Sequence, residues 1–204
     1  MAKTINTIIF DLGAVLIDWN QRYLYRKIFK TDAEMEWFLA NVCTNEWNEE
    51  QDAGRPFAEA VAIQSQLFPQ FEKEIEAFWK RWPEMMAGQI DGTVKIFEQL
   101  KKADLYKFYA LTNWSAETFP FALNKFEFFK WFDGIIVSGD EKTRKPFPEF
   151  YHRLLNRYSV NPTESLFIDD NINNIEAGKL LGFNTIHFQS SGQLEKELLA
   201  MKIV

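Results

Sequence analysis

Five short apolar runs, each broken off by polar residues, constrain this chain more than any other feature. Thr7-Ile8-Ile9-Phe10 stops at Asp11, and Phe108-Tyr109-Ala110-Leu111 stops at Thr112-Asn113. Gly134-Ile135-Ile136-Val137 stops at Ser138-Gly139-Asp140, and Leu166-Phe167-Ile168 at Asp169-Asp170-Asn171; Thr185-Ile186-His187-Phe188 closes the series. Unbroken apolar runs of this length suit strands covered on both faces, as in a parallel sheet, since a strand with one wet face alternates. Helical spacing fills the gaps. Asp91 is placed to cap a helix carrying Val94, Phe97 and Leu100 on one stripe. Pro148 fits the first turn of a segment with Phe150, Leu154 and Tyr158 in line, and Asn171 or Asn173 can cap a helix ending near Leu181 with Gly182 just beyond it. Strand–helix alternation predicts right-handed crossovers and a doubly wound, parallel-sheet α/β core.

Residues 19–88 interrupt the alternation. They carry charge, helical periodicity and aromatics, including Trp37, Phe38, Trp47, Phe57, Phe78, Trp79 and Trp82, and no convincing strand. The expected organisation is a core formed by 1–18 and 89–204, with 19–88 as a helical subdomain inserted into it.

Composition excludes several classes of function. A chain of 204 residues can bury roughly 70% of its unfolded surface, so its core needs no disulfide or structural metal. The single cysteine, Cys43, rules out an internal disulfide framework and suits a reducing compartment. A net charge of −6, with basic runs no longer than pairs, argues against nucleic acid or an anionic membrane as partner. No apolar stretch approaches the roughly 20 residues of a membrane helix, and Asp11 cuts short any signal-peptide apolar region; a cytoplasmic protein is expected. Two histidines, His152 and His187, leave no room for catalysis built on several imidazoles.

In open α/β sheets, ligands bind at the carboxyl ends of the strands. Here those ends deliver Asp11, Thr112-Asn113 and Asp169-Asp170, with Lys145 in the loop after another strand. Taken singly, an Asp or Asn after a strand is a turn former or a helix cap. Taken together, the carboxylates would raise one another's pKa unless a cation intervened, and the lysine with its hydroxyl and amide neighbours suits an anion. Carboxylates for a hard divalent cation beside donors for a phosphate make a phosphoryl-transfer arrangement.

At these residues the chain resembles the haloacid dehalogenase-like (HAD) hydrolases. The matching strings are Phe10-Asp11-Leu12-Gly13-Ala14-Val15-Leu16, Leu111-Thr112-Asn113, Arg144-Lys145-Pro146, and Phe167-Ile168-Asp169-Asp170-Asn171 followed by Asn174, in the family's order. The Asp-Leu-Gly first motif is similar to that of the sugar-phosphate (glucose-1-phosphate) phosphatase members. The resemblance implies a Rossmann-like core with a helical cap and an aspartyl-phosphate mechanism, with Asp11 as nucleophile and Lys145 offsetting its charge. It implies that Thr112, Asn113 and Lys145 hold the phosphoryl oxygens. Mg²⁺ would sit between Asp11, the main-chain oxygen of Gly13 and Asp170, with Asp169, Asn171 and Asn174 supporting those ligands. Trp47, Glu50 and Arg55, around a turn at Gly54, are the implied specificity residues of the cap. The implied partner is a small phosphorylated substrate, on a monomer or homodimer.

One position departs from the family. Most of its phosphatases carry a second Asp two residues after the nucleophile as general acid and base, and here that residue is Gly13. A positioned acid is worth about 10²–10⁴-fold, so a good leaving group such as an anomeric oxygen, or a substitute among Asp18, Asp169 and Glu50, is called for. Two alternatives stand beside the phosphatase: a carbon–halide hydrolase, whose members tend to carry Ser in the fourth motif and Thr where this chain has Val15, and a non-catalytic phosphate-binding homologue.

Overall fold

A computed structural model describes residues 4–203. Its centre is a five-stranded parallel sheet. In chain order the strands are β1 (Thr7–Phe10), β4 (Lys107–Thr112), β5 (Gly134–Val137), β6 (Ser165–Asp169) and β7 (Asn184–His187). Their spatial order is β5-β4-β1-β6-β7, so β1 lies in the middle with its register fixed on both sides: Phe10 pairs with Ala110 and with Ile168. All five predicted runs are strands.

Neighbouring residues of each run face opposite sides of the sheet, and both sides are dry. Ile8, Phe10, Phe108, Ala110, Leu166 and Ile168 pack with Phe97 of α6 (Asp91–Ala103) and Leu194 of α11 (Ser191–Ala200). Ile9, Tyr109, Leu111 and Phe167 pack with Phe150 and Leu154 of α9 (Pro148–Tyr158) and Ile175 of α10 (Ile172–Leu180). Each buried Ile, Leu or Phe is worth about 1.5–3 kcal/mol, so this two-sided burial explains why the runs contain no polar alternation. Helix ends follow the sequence closely. Asn171 caps α10 by accepting the N–H of Asn173, and Gly182 follows its last turn with φ +91°, a conformation glycine adopts at little cost. At α6 the N-cap is Ile90, with Asp91 as the first helical residue.

Between β1 and β4 lies a helical insertion: α1 (Arg22–Tyr25), α2 (Asp32–Asn41), α3 (Asn45–Asp52), α4 (Phe57–Leu67) and α5 (Glu72–Lys80). Its interior is aromatic, with Tyr25 on Phe38 at 4.9 Å, Trp47 edge-on to Phe78 at 5.0 Å, and Phe57 against Phe78 at 6.0 Å. The insertion leaves and rejoins the core through a two-stranded antiparallel ribbon, β2 (Ile17–Trp19) with β3 (Met86–Gln89). These strands carry no apolar run, because Asp18 and Gly88 interrupt their apolar residues. Two short helices complete the core, α7 (Phe119–Leu123) and α8 (Ser138–Glu141). No helix among the described residues is long and apolar enough to cross a membrane.

Candidate active site

The carboxyl ends of β1, β4 and β6 converge, because these three strands are neighbours whose order diverges on either side of β1. That is where an open parallel sheet leaves a crevice. Asp11, one residue past β1, is fixed by its N–H to Ile168 O at 2.8 Å, and its Oδ1 accepts the N–H of Leu12 at 2.7 Å. The chain then turns sharply: Leu16 and Ile17 both donate back to Leu12 O, with Ala14 at φ +56°. Lys145 is wholly buried. Its Nζ lies 3.0 Å from Asp11 Oδ1 and 2.7 Å from Asp169 Oδ2, above the ring of Phe167.

Burying a lysine with no partner would drive it neutral. Here burial does pull the Lys145 ammonium down, but the carboxylates of Asp11 and Asp169 outweigh it and hold the pKa above its ordinary value. Burial raises Asp11 to about 7; Lys145 opposes that shift, and Asp169 and Asp170 add to it. Burial and Asp169 likewise raise Asp170. Asp11, Asp169 and Asp170 present oxygens within 4.8 Å of one another, and the Lys145 ammonium pairs with two of the three. That donor set is all oxygen and formally short of two positive charges, which suits a hard divalent cation.

The other predicted residues fall into place unevenly. Asp169 has both oxygens engaged: Asn174 Nδ2 donates to them at 3.0 and 3.1 Å, and the N–H of Asn171 donates to Oδ1 at 2.8 Å. Asn174 therefore fixes Asp169 and reaches Lys145 only through it. The Asp170 main-chain oxygen accepts from His187 Nε2 at 2.9 Å, a structural use of that histidine, while His152 lies exposed on α9. The Asn113 side chain is spent on the main chain of Lys145, donating to its oxygen at 3.0 Å and accepting from its nitrogen at 2.8 Å. That clamp sets the lysine, and only the main chain of Asn113 remains for a ligand. Thr112 Oγ1 is buried beside this cluster with no hydrogen-bond partner among the described residues. An unsatisfied buried hydroxyl costs about 1–3 kcal/mol, and a phosphoryl oxygen at the strand end would satisfy it.

Above the cluster, at the seam with the insertion, is a small cavity of about 60 Å³ lined by Gly13, Asn113, Trp19, Trp82, Trp114, Asn48 and Asp52. That is room for about two waters between the insertion and the core. The seam is held by an Arg144–Glu49 ion pair at 2.7 Å and by a glycine contact. A Cβ on Gly54 (φ +100°) would come within 3.0 Å of Gly139 O. Trp47, Glu50 and Arg55 do not line the cavity. Trp47 packs inside the insertion, Glu50 is exposed, and Arg55 donates to Gln51 Oε1 and Trp47 O. Four residues of the 19–88 segment do line it, Trp19, Asn48, Asp52 and Trp82; no sequence signal marked Asn48 and Asp52 as site residues.

Comparison with known proteins shows the family and the fold. The profile of the haloacid dehalogenase-like hydrolases matches residues 5–182. The sesquiterpene phosphatase astK of Aspergillus oryzae is 27% identical over 194 residues, covering 94% of this chain and 93% of that protein. A phosphorylated carbohydrates phosphatase of Thermotoga maritima is 24% identical over 204 residues, covering 97% and 93%. Among solved structures, the magnesium complex of the HAD family enzyme bt-2542 from Bacteroides thetaiotaomicron superposes with a TM-score of 0.73 at 22% identity, covering 97% of this chain and 99% of that one.

Proposed function

The chain belongs to the haloacid dehalogenase-like hydrolases, and on that premise we propose that it is a Mg²⁺-dependent phosphatase of a small phosphorylated metabolite. One observation carries this reading: Asp11 stands against a buried lysine, beside two further carboxylates and an unsatisfied Thr112 hydroxyl, at the crevice of the sheet. Lys145 holds Asp11 in one orientation and offsets its charge, so an anionic phosphoryl group can approach. Asp11 attacks phosphorus, and the Thr112 hydroxyl donates to a phosphoryl oxygen. The main chain after β4 supplies further donors, while Asn113 and Asp169 keep Lys145 from swinging away. Asp11 and Asp170, with the main-chain oxygen of Gly13, are the residues that would hold Mg²⁺, which supplies neutralisation of phosphoryl charge when bound. Positioning and charge compensation are most of what a loose phosphoryl transition state demands.

The helical insertion acts as the cap of this site, excluding water and contacting the leaving group. Three tryptophans at the seam, Trp19, Trp82 and Trp114, suit a leaving group with an apolar face, whether the flat side of a sugar or a hydrocarbon such as the relatives' names suggest. A hexose 1-phosphate remains a fitting substrate, since its anomeric oxygen leaves easily.

The test is phosphate release from glucose 1-phosphate, other sugar phosphates, nucleotides, an acyl phosphate and an isoprenoid phosphate, with and without Mg²⁺. Release from at least one, lost on chelation and in Asp170→Ala, is expected. Chloride release from 2-chloropropionate without metal would overturn the reading in favour of a dehalogenase.

A further inference from the structure

Breaking a P–O ester bond leaves an alkoxide that needs a proton, and no residue near β1 supplies it. Gly13 has no side chain, yet nothing in the fold demands glycine there: a Cβ at that position would meet no atom within 4 Å, and its φ is ordinary. The space it leaves belongs to the cavity at the seam. Across that cavity stands Asp52, the last residue of α3, with Asn48 one turn before it. Asn48 Nδ2 donates to Asp52 Oδ2 at 3.1 Å, which fixes the carboxyl in the cavity wall. Burial raises this carboxyl to about 7, with Glu49 adding to the shift and Arg144, the N–H of Ser115 and Lys145 opposing it. It can therefore hold a proton and part with it near neutrality.

The other candidates are engaged elsewhere. Both Asp18 oxygens accept from Tyr23 OH at 2.9 Å, Asp169 is saturated by Lys145, Asn174 and Asn171, and Glu50 points to solvent.

Resting on the phosphatase reading, we propose that Asp52 is the acid and base of the reaction, carried on the helical insertion into the space that the missing side chain at position 13 leaves open. In the first step an Asp11 oxygen bonds to phosphorus while the P–O bond to the leaving group breaks. The bonding pair goes to the leaving oxygen, which takes the Asp52 proton and departs as an alcohol. In the second step water attacks the phosphorus of the aspartyl-phosphate and gives its proton to the Asp52 carboxylate. The Asp11–phosphorus bond breaks, phosphate leaves, and both aspartates return to their starting states. The acid is in place only when the insertion is seated on the core.

Leaving-group dependence tests this. In Asp52→Asn, kcat/KM for the best alkyl ester of the sugar-phosphate panel should fall about 10²–10⁴-fold. With p-nitrophenyl phosphate, whose leaving group needs no proton, the same variant should release a burst of about one nitrophenol per site and then turn over slowly, because the second step still lacks its base. Adding Gly13→Asp, for which the structure has room, should restore alkyl-ester turnover at least tenfold over Asp52→Asn alone. A loss under tenfold, or equal losses on both esters with no burst and no rescue, overturns the proposal and leaves Asp52 a structural residue. A parent protein that releases phosphate from no ester overturns the phosphatase reading and this proposal together.

Discussion

The sheet end and the helical insertion meet at one cavity but are built by opposite means. At the sheet end, position follows from strand termination. β1 and β6 are locked in register, so Asp11, just past β1, and Asp169-Asp170, at the end of β6, emerge side by side. At the insertion, position follows from helix phase. α3 has one large apolar residue, Trp47, and turning that side inward is what aims Asn48 and Asp52 at the core. The lesson is that the acidic cluster sits on the stiff, backbone-registered side, while Asn48 and Asp52 face it from side chains whose direction depends on packing.

The largest effect should come from Asp11→Asn, with loss of phosphate release by about 10³-fold or more. Thermal unfolding should be unchanged or slightly higher, because the amide removes one of three crowded carboxylates. Activity within tenfold of the parent would show that Asp11 is not the nucleophile. Next is Lys145→Met, which leaves Asp11, Asp169 and Asp170 without their buried counter-charge. Activity should fall at least about 10²-fold, and denaturant unfolding should show a loss of about 3–5 kcal/mol. An unaltered midpoint would mean that the ion pairs contribute nothing to folding.

Phe78→Ala sharpens the contrast from the other side. It empties the centre of the insertion's aromatic cluster, so a cost of about 3–5 kcal/mol is expected. At a temperature where the variant stays folded, the single-turnover chemical step should change far less than in either core variant. A chemical step as slow as that of Lys145→Met would erase the distinction between the two regions.

The smallest effect concerns Glu84, which Arg81 and Lys27 hold down at about 2, against an ordinary value of 4.5. Its folded-state pKa is depressed, so its contribution is complete above about 4.5 and disappears as pH falls through about 2. The pair sites are more than a third exposed, and screening limits the gain to about 0.5 kcal/mol. Chemical denaturation of Glu84→Gln should thus trail the parent slightly at pH 6 and match it near pH 2; a difference that grows on acidification contradicts the assignment.

The same contrast explains what could be read before any coordinates. Runs such as Ile8-Ile9-Phe10 announce buried strands by themselves, and Asn171 and Gly182 mark helix ends because their roles are local. The acidic cluster was legible for the same reason, each member lying at the end of a run. The direction of α3 was not, since Trp47 alone defines no apolar stripe and the turn at Gly54 points only to Trp47, Glu50 and Arg55, neighbours of the residues that line the cavity. The Asn113 clamp on Lys145 was equally hidden, joining positions 32 residues apart through main-chain atoms that any residue would offer.

The ribbon of β2 and β3 gives this architecture room to diverge. Because the excursion departs and returns through paired, adjacent strands, its ends stay fixed to each other whatever lies between them. Turns of helix can be lost, gained or exchanged there without moving the backbone that carries Asp11. One acidic cluster can then stand beneath a succession of differently furnished insertions.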